Sequence, residues 1–298
     1  MTRKVKKIVE GEDKVDGAGV QLVRVVGKPD TEDFDPFLML DAFDNDDPET
    51  FTKGFPWHTH RGIETVTYLL KGEIQHRDSL GNEGVIRDGG CQWMTAGSGI
   101  IHQEMPQPTS KMQGVQLWVN LPADLKMTEP RYRDFSALEI PQVEDEASTV
   151  RVVAGEYKGK KGPMEKITVQ PAFMDVTVRP GGTFSLETDP DDTVFIYIIT
   201  GTAFPETGAG ETLTSRQAVL FDRGDKLQVK AGEETLQFLL FSGKPLNEPI
   251  AWSGPIVMNT RRELQHAFRE IDQKTFIKEH DSSGAITGSR KNGQVYRD

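Results

Sequence analysis

An all-β fold of two sandwich or barrel domains, followed by a short C-terminal helix, is predicted by three observations. Short runs rich in Val, Ile, Thr and aromatics are punctuated by Gly, Asp, Asn and Pro clusters such as "DSLGNEG", "RDGG" and "AGSG". Turn signals at roughly eight- to twelve-residue spacing are those of a sandwich or barrel. A polar, acidic, proline-marked stretch, "ADLKMTEPRYRDFSALEIPQVEDEAS" (123–148), interrupts the runs and reads as a connection between domains. The runs on either side of it look like weak copies of each other.

The first half carries "GVQLVRVVG" (19–27), "ETVTYLLKG" (64–72), "EIQHRDS" (73–79), "QWMTAG" (92–97), "GIIHQEM" (99–105) and "GVQLWVNLP" (114–122). The stretch "GFPWHTHRGIETVTYLL" (54–70) places His58 and His60 at the head of one such run. Strands resume with "TVRVVAG" (149–155), "FMDVTVRPGG" (173–182), "TVFIYIITGTAF" (193–204), "QAVLFDRGD" (217–225) and "ETLQFLLFSG" (234–243). The division expected is a first domain over 1–135, a linker over 136–144 and a second domain over 145–298. Matching Gly72 to Gly201 sets positions 58 and 60 on Glu187 and Asp189. Matching Gly97 to Gly224 sets positions 102 and 104 on Val229 and Ala231. The second half therefore repeats the scaffold without the histidines. In "VMNTRRELQHAFREID" (257–272) the period changes: Leu264, Phe268 and Ile271 recur at helical spacing, and Thr260 with Glu263 reads as a capping box. The end, "KEHDSSGAITGSRKNGQVYRD" (278–298), reads as a loose polar tail.

Composition narrows the function. The 298 residues carry 35 Lys and Arg against 46 Asp and Glu, a net charge of −11, with a pI near 5.1. An acidic surface is unsuited to phosphate backbones, so direct nucleic-acid binding is not expected. One cysteine, Cys91, excludes an intrachain disulfide framework and suits a reducing compartment. No apolar h-region follows the basic start and no apolar stretch is long enough to span a bilayer. A cytoplasmic monomer without membrane contact is expected.

Three of the six histidines, His58, His60 and His76, fall within nineteen residues. Residues two apart on a strand share a face, about 6.6 Å apart. "AGSGIIHQEMP" supplies a second such pair, His102 and Glu104. Two strands laid side by side would bring three imidazoles and one carboxylate together, a donor set for a divalent transition metal. Glu64 follows on the His60 run, but an unbent strand puts it about 13 Å further on, so it is expected in the surroundings of the site. His76 is expected at the surface, and Cys91 as a packed small hydrophobe. Arg3, Lys4, Lys6 and Lys7 are expected on a solvated strand edge. "GSG" (97–99) is expected to form the tight turn leading to His102, and His266 and His280 are assigned no role.

The segments "HTHRGIETVTYLLKG" (58–72) and "GGCQWMTAGSGIIHQEMP" (89–106) resemble the two metal motifs of a cupin, specifically of the pirin family. "GVQLWVNLP" with "KMTEPRYRDF" (126–135), and "GKPLNEPIAWSGPIVMNTRRELQ" (243–265), extend the resemblance over residues 20–277. It implies a bicupin, two cupin β-barrel domains, with metal in the first only, held by His58, His60, His102 and Glu104. The ion implied is Fe(II) first, with Ni, Co, Mn, Cu or Zn suited to the same ligands. The resemblance implies quercetin 2,3-dioxygenase activity for some members, acting on a small aromatic or enolic substrate with dioxygen, and Glu104 would double as the base. It implies for others a metal- and redox-responsive protein partner, a nuclear co-regulator or a binder of metabolic enzymes. A cupin sugar isomerase would want several phosphate-binding cations near the metal, and Arg61 alone is adjacent.

Overall fold

A computed structural model of the chain describes residues 1–165, 169–205 and 212–290. The fold is mainly β, with two cupin-type domains. Each strand run read from the sequence contains a strand, and Phe37–Asn45, buried from Phe37 to Phe43, is one that alternation does not reveal. Among the described residues no helix is long and apolar enough to cross a membrane.

Two compact units share one strand order. One seven-stranded sheet runs Arg131–Phe135, Cys91–Thr95, Ile63–Lys71, Met112–Asn120, Phe37–Asn45, Val20–Val26, Glu12–Asp16. A four-stranded sheet runs Phe55–His60, Ile100–Pro106, Ile74–Asp78, Glu83–Ile86. The second unit repeats this as Val5–Glu10, Gln217–Phe221, Thr193–Thr200, Leu236–Gly243, Ala172–Val178, Ser148–Ala154, Gln142–Glu144. Its smaller sheet runs Thr183–Glu187, Lys226–Ala231, Ala203–Pro205. The interior there is built on apolar side chains, Phe184, Ile196, Val229 and Phe238 among them.

The units take the ends of the chain crosswise. Met1–Glu12 and Val23–Met39 group with Leu138–Leu246, whereas Asp13–Leu22 and Asn247–Asp298 group with Leu40–Ala137. A single cut at 136–144 therefore differs from the compact units at both termini. At the N-terminus the cause is strand pairing: Val5–Glu10 lies antiparallel to Gln217–Phe221. The basic start is correspondingly not a solvated edge throughout. Arg3 is buried and donates to Thr188 Oγ1 at 2.8 Å and to the carbonyls of Asp222 and Asp189 at 2.8 and 2.6 Å. Lys6 and Lys7 do stay near water, paired with Asp30 and Asp33.

Two further expectations change. The polar stretch 123–148 contains strands, Arg131–Phe135 and Gln142–Glu144, which add to sheet edges where one face meets solvent and polar side chains are at home. The tail is not loose over 278–289, where Lys278–His280 and Ile286–Ser289 form a hairpin; residues 291–298 lie outside the described residues.

The C-terminal helix, Arg261–Asp272, starts as the sequence implies: Thr260 and Glu263 form the reciprocal capping box. Its apolar stripe, Leu264, Ala267, Phe268 and Ile271, joins a cluster with Ile101, Trp57, Phe276 and Ile277. Ile101 is the back-facing neighbour of His102, so the helix covers the outside of the strand that carries that histidine. Arg61 completes the attachment. Its buried guanidinium donates to Glu270 Oε2 at 2.6 Å, the Ser98 carbonyl at 2.6 Å and the Phe276 carbonyl at 2.9 Å, with its carbon 4.2 Å from the centre of the Phe276 ring. Glu270 also accepts from Lys278 and lies 3.1 Å from His266 Nε2.

Removing Arg61 takes the donor from three acceptors at once, Glu270 Oε2 and the carbonyls of Ser98 and Phe276. Arg61→Met is expected to cost about 3–5 kcal/mol of unfolding free energy, against about 1 kcal/mol for Thr260→Ala at the exposed cap. Urea denaturation followed by far-ultraviolet dichroism reads both, and equal losses would deny the guanidinium its central place.

Candidate metal centre

Phe55–His60 and Ile100–Pro106 pair antiparallel with His58 directly opposite His102. The alternation of the first strand sets His60 on the same face as His58. Three Nε2 atoms meet as a result: His58 to His60 at 3.0 Å and His102 to His58 at 2.9 Å. The ligating atoms of the three rings all lie within 4.8 Å of one another. Between His102 and Glu104 the register shifts, and Glu104 Oε2 stands 3.8 Å from His102 Nε2. Its carboxylate is buried and held from the opposite sheet by Thr67 Oγ1 at 3.0 Å and Gln116 Nε2 at 3.3 Å.

The far nitrogens fix the tautomers of two rings. His58 Nδ1 lies 2.9 Å from the Pro56 carbonyl and His60 Nδ1 lies 3.3 Å from the Pro255 carbonyl. A carbonyl only accepts, so each Nδ1 carries the proton and each Nε2 presents a lone pair. Burial, with His58 nearby, holds His60 well below the usual imidazole range, and burial with His58, His60 and His76 does the same to His102. With the Nδ1 atoms of His58 and His60 turned to carbonyls, the Nε2 atoms that converge at 3.0 Å form the inward-facing donor set that a cation takes up. The residues therefore fit a divalent transition ion, with carbonyls orienting ligand histidines from behind. His102 Nδ1 is buried without a partner among the described residues.

The local backbone explains why this sequence folds so. Gly62 follows His60 and Arg61 with φ +77, and a Cβ there would stand 1.9 Å from the Val257 carbonyl oxygen. Gly97 has φ +48, and a Cβ there would stand 2.2 Å from the Thr128 carbonyl oxygen. "GSG" (97–99) is thus the tight turn before the His102 strand, with Ser98 fully buried and its carbonyl held by Arg61. Lys126 fastens the neighbouring segments. Its ammonium donates to Gly62 O, Asn120 Oδ1 and Val257 O at 2.9, 2.7 and 3.2 Å, and burial pushes its pKa down to about 7.

Glu64 points away from the ligands. It alternates with Thr65 and Thr67, the latter on the Glu104 face, and instead accepts from Trp93 Nε1 at 3.0 Å and Thr95 Oγ1 at 2.7 Å. Burial raises its pKa. Cys91 is packed, its thiol pushed up by burial. His76 corrects the surface reading. It is buried beside Glu104 in the strand register, with its Nε2 3.1 Å from Asp134 Oδ2 and 2.5 Å from the Tyr132 hydroxyl. The missed signal is the alternation of Ile74, His76 and Asp78, which puts His76 on the inner face with a buried isoleucine. Arg61 is wholly engaged with protein groups and offers nothing to a phosphate. Of the unassigned histidines, His280 Nε2 lies 3.3 Å from Ser98 Oγ, and His266 pairs with Glu270 on the helix.

In the second unit Val229 stands opposite Phe184 and Leu227 opposite Leu186, as His102 stands opposite His58 and Ile100 opposite His60. Positions 58 and 60 thus correspond to Phe184 and Leu186 rather than to Glu187 and Asp189, which lie three residues further on. A glycine-anchored match misses this because the connection between the two strands is longer at 188–192 than at 61–62. Val229 and Ala231, matched to His102 and Glu104, are buried in the apolar core.

Known proteins are similar to this chain over most of its length. The Pirin family model matches residues 19–119, and the model for the Pirin C-terminal cupin domain matches residues 173–277. A "Pirin-like protein" of Caulobacter vibrioides is 43% identical over 277 residues, spanning 92% of this chain and 99% of its own. A Pseudomonas aeruginosa protein named "Putative quercetin 2,3-dioxygenase" is 42% identical over 276 residues, spanning 90% and 96%. The crystal structure of quercetin 2,3-dioxygenase from Acinetobacter baumannii superposes with a TM-score of 0.84 at 31% identity, covering 92% of this chain and 98% of that one. With matches to both halves of the family pattern and relatives alike over almost the whole length, this chain belongs to the pirin family.

Proposed function

We propose that the protein is a metal-dependent dioxygenase that opens the ring of a flavonol-like substrate, with His58, His60, His102 and Glu104 holding one divalent ion, Fe(II) first. The observation that carries the reading is the meeting of three Nε2 atoms, two with tautomers fixed by carbonyls, beside a buried carboxylate. The names of the Pseudomonas and Acinetobacter relatives support the same chemistry. An ion held there lowers the pKa of an enolic or catechol oxygen and supplies the redox chemistry that dioxygen requires.

The chain's own part is positioning and proton transfer. Carbonyl contacts from Pro56 and Pro255 keep two imidazoles aimed inward without reorganisation. Glu104 is oriented by Thr67 and Gln116, both of which donate, and an oxygen so held takes the hydroxyl proton of the substrate. Burial of His60, His102 and Glu104 excludes bulk water from that step. The acidic surface also suits a protein partner, and the tests below separate a regulator from an enzyme.

Elemental analysis of the reconstituted protein is expected to give one ion per chain. The double variant His58→Ala, His102→Ala is expected to retain none, since half the ligands are gone. Two ions per chain, or full retention in that variant, would overturn the ligand assignment.

Anaerobic reconstitution with each divalent metal, followed by quercetin and air, is expected to give oxygen uptake with carbon monoxide release. Glu104→Gln keeps an oxygen donor but loses the proton acceptor, so turnover is expected to fall about 100- to 10,000-fold while most of the metal stays bound. Parallel loss of metal and turnover would leave Glu104 a ligand only. No oxygen uptake in the wild-type holoprotein, together with metal-dependent capture of a partner protein, would replace the enzyme by a regulator.

A further inference from the structure

Trp118 sits beside the metal centre with an unused donor. On the Met112–Asn120 strand, residues 116, 118 and 120 share a face, and Gln116 from that face reaches Glu104 at 3.3 Å. The Trp118 ring lies 5.0 Å from the His60 ring at 85° and 5.7 Å from the Trp252 ring. It is 8% exposed, and its Nε1 is buried with no hydrogen-bond partner among the described residues. Two other tryptophans satisfy theirs: Trp93 Nε1 donates to Glu64 at 3.0 Å and Trp252 Nε1 to the Gly254 carbonyl at 2.8 Å. A buried donor left unmade costs free energy, and native interiors hold few of them. An aromatic ring wanted only for packing carries no such cost as phenylalanine.

We propose that the Trp118 indole N–H is a specificity determinant that donates to a ligand oxygen seated against His60. The ligands it selects carry two neighbouring oxygens, as enediols, catechols and 3-hydroxy-4-ketones do. One oxygen is taken up by the site and the adjacent one accepts from Nε1. This deepens the dioxygenase reading and rests on it for the placing of substrate beside His60. A donor that finds an anionic acceptor in a dry site discriminates strongly, because a ligand lacking that acceptor leaves the N–H unpaired.

The test is anaerobic binding to the metal-loaded protein, with turnover measured separately. Two probes are titrated by visible absorption: 4-nitrocatechol, with neighbouring oxygens, and 4-nitrophenol, with one. Trp118→Phe is expected to weaken 4-nitrocatechol about tenfold or more, to leave 4-nitrophenol within about twofold, and to retain the metal. Because a smaller ring also loosens packing, a second protein carries benzothienylalanine at 118, which keeps the ring shape and replaces the N–H by sulfur. It is expected to match Trp118→Phe. Wild-type affinity for 4-nitrocatechol in the benzothienylalanine protein would overturn the donor role, as would equal weakening of both probes. Failure of quercetin turnover in the wild type, with the selective loss of 4-nitrocatechol still seen, would sink the enzyme reading and leave the donor in place.

Discussion

The guanidinium of Arg61 is the constraint on which the metal centre depends. It follows His60 directly, holds the carbonyl of Ser98 in the turn before the His102 strand, and pairs with Glu270 on the C-terminal helix. One side chain thus ties the ends of both histidine strands to the segment that covers them. A planar group with five donors can serve three acceptors in different directions, which a lysine ammonium on a flexible stem does less rigidly. Lys126 plays a complementary part by gathering the Gly62 and Val257 carbonyls with Asn120. These cations are spent on architecture, which is why a cluster of positive charge near the site does not translate into an anion pocket.

Around the ligands runs a polar layer that the sheet register lines up. Gln116, Thr67, Gln92 and Asp134 stand opposite one another across four strands of the larger sheet, and Glu104, His76 and Gly84 do so across the smaller one. Contacts join the two rows: Thr67 and Gln116 to Glu104, and Asp134 to His76. Buried polarity of this kind is tolerated because its members are largely hydrogen-bonded to one another.

The second unit shows what the same strand order becomes without that chemistry. Phe184, Leu186, Val229 and Ala231 replace the three histidines and the glutamate. Leu and Phe there need no partners, so the interior closes as an ordinary apolar core. One copy of the repeat gathers a histidine cluster in its interior, and the other packs apolar side chains there. The flanking strand order is unchanged because edge pairing and alternation are set by backbone periodicity, whatever fills the interior.

Much of this was legible in the sequence because it depends on local period. Residues two apart share a strand face, so His58 with His60 and His102 with Glu104 could be paired on sight, and the helix could be read from Thr260, Glu263 and its apolar spacing. The turn at 97–99 was equally local. What only the tertiary structure decided depends on distant partners. The burial of His76 comes from a sheet closing over it, with Tyr132 and Asp134 contributed from within the polar stretch 123–148 that reads as a connection. Arg3 is buried because an N-terminal strand pairs with residues more than two hundred positions away. That the Trp118 N–H has no partner among the described residues is likewise invisible in a string of letters, since whether a donor has a partner is a property of everything folded around it. Periodicity is written along the chain, whereas burial and pairing exist only once the chain has met itself.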